Sequence, residues 1–166
     1  MNSIALAILA FVTAERLFEL WLSARNRRRL IEQGAREHGA RHYPLIVAVH
    51  AAWLITLWVL APERPIDPFW LAMFALLLIA RFWVIATLGP RWTTRIIVLP
   101  GAPLVTGGPY RWLNHPNYWV VVGEIAVLPL VFGLPLAALV FSLLNAAVLW
   151  VRIREENRAL RAIPRR

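Results

Sequence analysis

The chain has no cysteine among its 166 residues, so neither a disulfide nor a thiolate metal site is available to it. Lysine is absent too, and all 18 cationic side chains are arginine. Only nine residues are acidic, which leaves a net charge of +9. The four histidines show no spacing typical of metal ligands. We therefore expect no metal, and any chemistry must come from oxygen and nitrogen groups.

What the chain has in excess is apolar sequence, at 60% of its residues. The arginines lie beside long apolar runs, so contact with lipid headgroups explains the basic charge better than binding of nucleic acid does. The N-terminus lacks the basic region and small-residue cleavage site of a signal peptide. We therefore expect its apolar run to be a retained helix.

A spanning helix needs about 20 mostly apolar residues, and the sequence offers five candidates. The last two are short and are separated only by Gly133 and Leu134. They are predicted to form a tight helical hairpin, with one long, bent helix as the alternative. The fold class is therefore an all-α integral membrane bundle. Its predicted helices are Ile4–Leu22, Tyr43–Leu60, Pro68–Leu88, Tyr118–Phe132 and Pro135–Trp150.

The positions of the arginines predict the orientation of this bundle. Fifteen of the 18 fall in three segments on one side, whereas Arg64 stands alone in the loops of the opposite side. The positive-inside rule puts the N-terminus outside and the C-terminus in the cytoplasm. The three segments contain Arg25, Arg27, Arg28, Arg29, Arg36 and Arg41; Arg91, Arg95 and Arg111; and Arg152, Arg154, Arg158, Arg161, Arg165 and Arg166.

A polar stretch, Gly107–Glu124, interrupts the apolar sequence before the fourth helix. Its opening Gly-Gly-Pro breaks any preceding helix, and Pro116 suits the first turn of a new one. The unpaired backbone N–H groups of that turn can receive an anion. An interfacial loop with an aromatic belt is the alternative. Six polar or aromatic side chains gather here: Tyr110, Arg111, Asn114, His115, Asn117 and Tyr118.

Several charged residues fall inside the predicted helices. Glu15, Arg16 and Glu19 lie in the first helix, Arg81 in the third and Glu124 in the fourth. A lone charge at the centre of a bilayer costs roughly 3 kcal/mol, so such groups normally pair or face a wet cavity. Two interpretations are open, a structural ion-pair network and a functional site. His50 in the second helix is weaker evidence of function, because a neutral histidine often only satisfies a helix contact.

The C-terminal segment after the fifth predicted helix is a second polar stretch. Arg152, Glu155 and Glu156 are spaced to share one helical face directly after the fifth helix. A helical hairpin would bring that face beside His115 and Tyr118. Carboxylates suit ribose hydroxyls, and arginine suits a carboxylate. A solvated helix end with internal ion pairs is the alternative.

These residues resemble the isoprenylcysteine carboxyl methyltransferase family of integral membrane enzymes, which use S-adenosylmethionine. The family commonly has arginine just before the His-Pro pair, where this chain has Asn114, so a cation at that position is in doubt. The resemblance implies a cofactor-binding half over 99–166. The matching residues are Gly108-Pro109-Tyr110-Arg111, His115-Pro116-Asn117-Tyr118, Glu124, Arg152, Glu155-Glu156 and Leu160.

Within 1–98, the resemblance narrows to bacterial members found with type III polyketide synthases, which O-methylate alkylpyrones or alkylresorcinols. It implies a lipophilic acceptor and an association with such a synthase pathway. Glu15, Glu19 and Arg81 are then the candidate catalytic residues, and His42 is a further candidate for contact with the acceptor headgroup. The motifs are Glu15-Arg16-Leu17-Phe18-Glu19-Leu20, Ala24-Arg25-Asn26, Glu37, His42-Tyr43-Pro44-Leu45, Trp92-Thr93 and Arg95-Ile96-Ile97-Val98-Leu99-Pro100.

The resemblance implies direct methyl transfer to an oxygen on the cytoplasmic side, with S-adenosylhomocysteine as the second product. Three alternatives stay open: carboxyl methylation of a prenylcysteine-like substrate, an NADPH-dependent membrane reductase, and a lipid-binding protein without enzymatic activity. The residues expected around the cofactor are Tyr110, His115, Pro116, Asn117, Tyr118, Glu124, Arg152, Glu155 and Glu156.

Overall fold

A computed structural model of the protein describes residues 2–161, and α-helices make up most of that part. The predicted all-α membrane bundle is confirmed. Arg165 and Arg166 lie outside the described residues, as do the side chains of Leu160 and Arg161. The helices are α1 (Ser3–Glu32), α2 (Tyr43–Leu60), α3 (Pro68–Leu88), α4 (Pro116–Val131) and α5 (Pro135–Arg161).

Three of these helices, α2, α3 and α5, are long and apolar enough to cross a membrane by length and composition. Helix α4 is apolar but has only 16 residues, fewer than the roughly 20 that a straight crossing needs. Helix α1 has 30 residues and carries charged side chains from Glu15 onward. The crossing of the bilayer by all five helices therefore stays a prediction.

Helix α1 continues ten residues beyond the end predicted at Leu22. The helix continues past the predicted spanning segment because arginine is a good helix former and no glycine or proline occurs before Gly34. Tertiary contacts support the extension. Asn26 is buried, and its side-chain amide donates to the backbone carbonyls of Gly89 at 3.3 Å and Trp92 at 2.8 Å.

Helices α4 and α5 form the predicted hairpin, and the alternative of one bent helix is wrong. The backbone N–H of Gly133 donates to Leu130, and that of Leu134 donates to Pro129, each at 3.0 Å. Gly133 adopts a φ of +63°, which glycine tolerates without strain. The chain reverses over three residues and returns α5 along α4.

The apolar core fills the half of the bundle remote from the N-terminus of α4. Leu9, Phe74 and Phe132 are almost completely buried there. Leu9 and Phe74 lie in the first turns of α1 and α3, and Phe132 directly follows α4. Trp53 joins them, and its indole N–H donates to the backbone carbonyl of Ile125 at 3.2 Å. The opposite half of the bundle therefore holds most of the polar side chains.

A short two-stranded ribbon, which the sequence analysis did not predict, joins the two polar connections. Strand β1 (Arg36–His38) pairs antiparallel with β2 (Ile96–Val98). On one side of β2, Ile96 and Val98 pack with Ala159 of α5. The ribbon thereby covers the end of the bundle where α4 begins and α5 ends.

Glu37 in β1 fixes the ribbon to the helices through two arginines. Its carboxylate accepts from Arg27 Nε at 2.8 Å and from Arg95 Nη1 at 2.5 Å. Burial opposes ionisation of Glu37, but the hydrogen bonds from Arg95 and Arg27 outweigh it and lower its pKa. The Arg95 guanidinium also lies 3.9 Å from the ring centroid of Tyr43 in α2. The ribbon therefore has one position relative to α1 and α2.

A 3₁₀ turn, Gly108–Arg111, leads into the polar stretch and depends on its first residue. Gly108 has a φ of +53°, and a Cβ added there would lie 2.4 Å from Thr87 Oγ1 of α3. Only glycine allows this backbone conformation and this close approach together. The turn consequently lies against α3, and Tyr110 within it packs near Trp92.

Candidate active site

Four side chains from α4 and α5 meet where the two helices have their polar ends. We call His115, Tyr118, Arg152 and Glu156 the helix-mouth cluster. Tyr118 donates its hydroxyl to the Glu156 carboxylate and accepts a hydrogen bond from Arg152 Nε at 2.8 Å. His115 stacks on Tyr118 with ring centroids 5.3 Å apart, and its Nδ1 lies 3.8 Å from Glu156. The tail face and the start of α4 thus meet as the sequence analysis predicted.

Two ionisable groups beside this cluster have shifted pKa values. Burial first and the nearby Glu156 carboxylate second raise the pKa of Tyr110 to about 12. Tyr110 is therefore a neutral hydrogen-bond donor at physiological pH. Burial, and then the charge of Arg152, lower the pKa of His42 at the start of α2. A pKa below the ordinary value of about 6.5 keeps His42 neutral near pH 7.

A cavity of about 590 Å³ lies between the helix-mouth cluster, the ribbon and the polar connection before α4. Its size is that of a small-molecule site, about 300–1,000 Å³. Both polar and apolar groups line it, so it suits a ligand with a charged part and a flat part. We call it the polar cavity. Its polar lining residues include Arg91, Arg95, Tyr110, Asn114, His115, Asn117, Tyr118, Arg152, Glu156 and Asn157.

Three of the nine residues expected around a cofactor lie elsewhere. Pro116 is buried in the first turn of α4. Glu155 forms an ion pair with the exposed Arg158 at 2.7 Å. Glu124 is 1% exposed and lies two turns deeper in α4, among other charged residues. Within the described part of the chain, these three residues lie outside the lining of the polar cavity, and their roles in binding stay predictions.

A second cavity of about 280 Å³ lies deeper, between α1 and α2. Most of its lining is apolar, and Leu17, Leu20 and Val47 in that lining are also exposed on the outer surface of the bundle. In a membrane those surfaces face lipid, so the cavity opens sideways toward the acyl chains. We call it the apolar cavity. Its polar lining residues include Thr13, Arg16, Glu19, Tyr43, His50, Arg81 and Thr94.

The two cavities share part of their lining, which we call the junction: Trp92, Asn117, Tyr118 and Arg152. Two buried polar atoms at the junction, Asn117 Oδ1 and Trp92 Nε1, have no hydrogen-bond partner among the described residues. Leaving such an atom unsatisfied costs about 1–3 kcal/mol, so a ligand that pairs with it gains that energy. Both atoms are fully buried, so a ligand in the cavities can pair with them only when neighbouring side chains shift.

Trp92 was missed as a site residue, although its motif was noted. A tryptophan in a connection beside apolar helices is usually an interfacial anchor, and nothing in its sequence context distinguishes it. It is 2% exposed because Asn26 of α1 holds its carbonyl and the residues around Val84 and Val120 enclose its ring. Only this long-range packing shows that Trp92 lines the junction.

The charges inside the helices pair with one another. Arg16 lies 2.9 Å from Glu19 and 2.8 Å from Glu124, and Arg81 lies 2.6 Å from Glu19 and 3.4 Å from Glu124. Glu15 lies 3.4 Å from each arginine. We call these five residues the ion cluster. It links α1, α3 and α4 across the interior of the bundle.

The pairing within the ion cluster supports the interpretation of these charges as a structural ion-pair network. Some of the same residues also line the apolar cavity, so a functional role for them stays a prediction. Of the candidate catalytic residues, Arg81 and Glu19 line the apolar cavity, whereas Glu15 is set back from it. Arg81 Nη1 is buried and has no hydrogen-bond partner in the described part of the chain. A headgroup contact by Arg81 and a catalytic role for these three residues stay predictions.

No group of three or more histidine, aspartate or glutamate side chains within residues 2–161 could hold a metal ion.

A family model, the isoprenylcysteine carboxyl methyltransferase family, matches residues 70–162, more than half of the chain. The chain belongs to this family, and the resemblance stated from its motifs is confirmed at that level. The protein is accordingly a membrane-associated methyltransferase.

Two relatives match nearly the whole chain. "Uncharacterized protein YpbQ" of Bacillus subtilis (strain 168) is 38% identical over 158 residues, which cover 92% of this chain and 94% of the relative. An "Uncharacterized protein" of Haemophilus influenzae is 27% identical over 157 residues, which cover 91% of each chain. No solved structure matches the chain. Because the match to YpbQ covers 92% of the chain, it extends into the helices before residue 70, which line the apolar cavity.

Replacing Arg81 by methionine should destabilise the protein more than any exposed arginine replacement. The change leaves three carboxylates to share Arg16 inside the bundle, and breaking a buried ion pair costs about 3–5 kcal/mol. We expect a clear fall in thermal unfolding temperature in detergent. Arg158→Met, at an exposed pair, is the control and should cost about 1 kcal/mol or less. Adding Glu19→Gln to Arg81→Met should restore part of the loss, and unchanged stability of Arg81→Met would contradict a holding role for the ion cluster.

Proposed function

We propose that the protein transfers a methyl group from S-adenosylmethionine to an oxygen of a lipophilic acceptor. One observation carries the proposal: a polar cavity and an apolar cavity meet at a shared lining that holds unsatisfied polar atoms. A methyltransferase with one water-soluble and one lipid substrate needs such an arrangement, because both must bind at once with their reacting atoms adjacent. Enzymes of this family use S-adenosylmethionine, which agrees with the polar cavity.

The polar cavity has the donor and acceptor types that the cofactor requires. Glu156 offers a carboxylate for ribose hydroxyls, and Arg152 offers a guanidinium for the cofactor's carboxylate. Tyr110, neutral at physiological pH, can donate to a ring nitrogen. When bound, the cofactor supplies an electrophilic methyl group on a positively charged sulfur. Asn117 Oδ1, an unpaired acceptor at the junction, suits that positive charge.

The apolar cavity suits the alkyl chain of the acceptor. Each CH₂ that it buries contributes about 0.8 kcal/mol, so chain length should dominate affinity. Because the cavity opens sideways between α1 and α2, an amphiphile can enter from the bilayer with its polar head leading toward the junction. There Trp92 Nε1–H can donate to the acceptor oxygen and orient it. Arg152 and Tyr118 close the junction and limit access of water.

For the acceptor itself we propose the hydroxyl of an alkylpyrone or alkylresorcinol. The support is the resemblance of the N-terminal half to enzymes acting on such compounds, together with an apolar cavity that can take a single chain. Carboxyl methylation of a prenylcysteine-like substrate is the second candidate, which the family's name favours. An association with a type III polyketide synthase gains no support from the relatives.

We further propose that the protein resides in the bacterial plasma membrane with the polar cavity facing the cytoplasm. The supporting observation is that the arginine-rich segments lie at the same end of the bundle as the helix-mouth cluster. This orientation gives the cofactor direct access from the compartment where it is made.

The absence of cysteine allows a direct test of this orientation. Arg28→Cys and Arg64→Cys each introduce one thiol at an exposed position. In intact cells, a membrane-impermeant maleimide should label the cysteine at 64 and leave the one at 28 unlabelled until the cells are opened. Labelling of position 28 in intact cells, with protection of position 64, would reverse the proposed orientation.

Glu156→Gln should weaken binding of S-adenosylhomocysteine by tenfold or more. The substitution removes the charge of a group that lines the polar cavity, and a hydrogen bond to a charged group contributes about 1.5–3 kcal/mol. The matched control is Glu155→Gln, which changes the neighbouring carboxylate that pairs with Arg158 instead. Isothermal titration of the purified proteins measures both affinities.

The same titration separates the rival functions. Binding of NADPH without binding of S-adenosylhomocysteine would support the reductase, and binding of neither would support a lipid-binding protein. If Glu155→Gln weakened binding and Glu156→Gln did not, the assignment of the polar cavity to the cofactor would be wrong.

Membranes containing the protein should methylate a long-chain alkylresorcinol or alkylpyrone with labelled S-adenosylmethionine. A farnesylated cysteine analogue serves as the competing acceptor, and shortening the alkyl chain of the resorcinol should lower kcat/KM steeply because each lost CH₂ weakens burial. Label found only in a base-labile methyl ester of the farnesylated cysteine would overturn the hydroxyl acceptor and establish carboxyl methylation.

A further inference from the structure

His50 lies near the middle of α2 and lines the apolar cavity. Its ring Nδ1 is 2.9 Å from the backbone carbonyl oxygen of Ile46, one turn earlier in the same helix. The ring is therefore tied to its own helix through one nitrogen, and the side chain has a fixed orientation.

This contact decides which nitrogen of His50 carries the proton. A carbonyl oxygen can only accept, so Nδ1 must be the donor in the hydrogen bond to Ile46. In a neutral imidazole the other nitrogen, Nε2, then has a free lone pair. No hydrogen bond to His50 Nε2 forms within residues 2–161. The apolar cavity thus contains a fixed proton acceptor.

All five helices contribute ionisable side chains to the cavity that His50 lines. Arg16 and Glu124 of the ion cluster and Arg152 of the junction are the charges that act on it most strongly. His50 therefore shares the apolar cavity with members of both the ion cluster and the junction. The ionisable groups lining the same cavity are Arg16 and Glu19 of α1, Tyr43 of α2, Arg81 of α3, Tyr118 of α4 and Arg152 of α5.

We propose that His50 is the general base of the reaction and that the acceptor is a neutral hydroxyl compound, a phenol or an enol. The inference rests on the proposed function and deepens it. The acceptor's O–H bond breaks, and its proton forms a bond with Nε2. The oxygen's electron pair forms the new bond to the methyl carbon, while the electrons of the old carbon–sulfur bond stay on sulfur. The imidazolium later releases its proton to water.

The same geometry argues against a carboxylate as the acceptor. A carboxylate is already ionised at neutral pH and needs no base, so the lone pair of Nε2 would have no use. A hydroxyl, by contrast, can donate to Nε2 before it reacts. The carboxylates of the ion cluster form salt bridges with Arg16 and Arg81, whereas His50 Nε2 forms no hydrogen bond or salt bridge within residues 2–161.

The first test measures methyl transfer to long-chain phenols of graded acidity by the wild type, His50→Gln and His38→Gln. Glutamine can accept a hydrogen bond but cannot take the proton, and a positioned general base contributes about 10²–10⁴-fold. With a weakly acidic phenol, we expect the kcat of His50→Gln to fall by about 10²–10⁴-fold. With a strongly acidic phenol, its kcat should approach that of the wild type. His38, in β1 and away from the apolar cavity, should behave like the wild type.

The second test needs no cofactor and follows the proton itself. A long-chain nitrophenol absorbs visible light as the phenolate, so its spectrum reports ionisation on binding. The wild type should bind a larger phenolate fraction than His50→Gln at a pH below the pKa of the free phenol. The wild-type rate with a weakly acidic phenol should also fall as the pH drops through the pKa of histidine, which is ordinarily about 6.5. The rate of His50→Gln should not show this fall.

The outcomes separate this inference from the proposed function. A loss of kcat in His50→Gln that is equal for all phenols, or full activity of the variant, would overturn the base while leaving methyl transfer intact. Failure of the wild type to methylate any phenol, with normal transfer to a carboxylate acceptor, would overturn the hydroxyl acceptor and His50 together.

Discussion

The structure depends on five charged side chains that must satisfy one another inside the bundle. Arg16 and Arg81 face Glu15, Glu19 and Glu124 at distances of 2.6–3.4 Å, and lipid offers them no alternative partner. Because the carboxylates belong to α1 and α4 and one arginine belongs to α3, the three helices have one register in which all the charges pair. The cluster divides the bundle into an apolar core on one side and two cavities on the other.

That division gives one small chain two cavities of different character, which in the proposed function bind two very different substrates. The polar cavity gathers the helix-mouth cluster, the ribbon and Tyr110, whereas the apolar cavity faces the lipid between α1 and α2. At the junction, the first turn of α4 supplies Asn117 and Tyr118, and the last turns of α5 supply Arg152. The tight hairpin between these helices is therefore what places residues from both ends of the C-terminal half side by side.

The features that could be predicted from the sequence are those fixed locally. Apolar runs and the Gly133 turn predict the hairpin, and helical spacing predicts that Arg152 and Glu156 meet Tyr118. The features that could not be predicted depend on distant partners: β1 pairs with β2, and Asn26 fixes Trp92 at the junction. Glu124 shows the limit most clearly. Its distance from His115 in sequence placed it near the helix mouth, but two turns of helix carry it into the ion cluster instead.

The central claim is that two ligands bind at once and meet at the junction. The most direct measurement is a structure of the protein in lipid nanodiscs with S-adenosylhomocysteine and a long-chain phenol. The account predicts the nucleoside near Tyr110 and Glu156, the cofactor sulfur beside Asn117, and the alkyl chain between α1 and α2. Density that places both ligands in the polar cavity would contradict this arrangement. So would an alkyl chain bound outside the gap between α1 and α2.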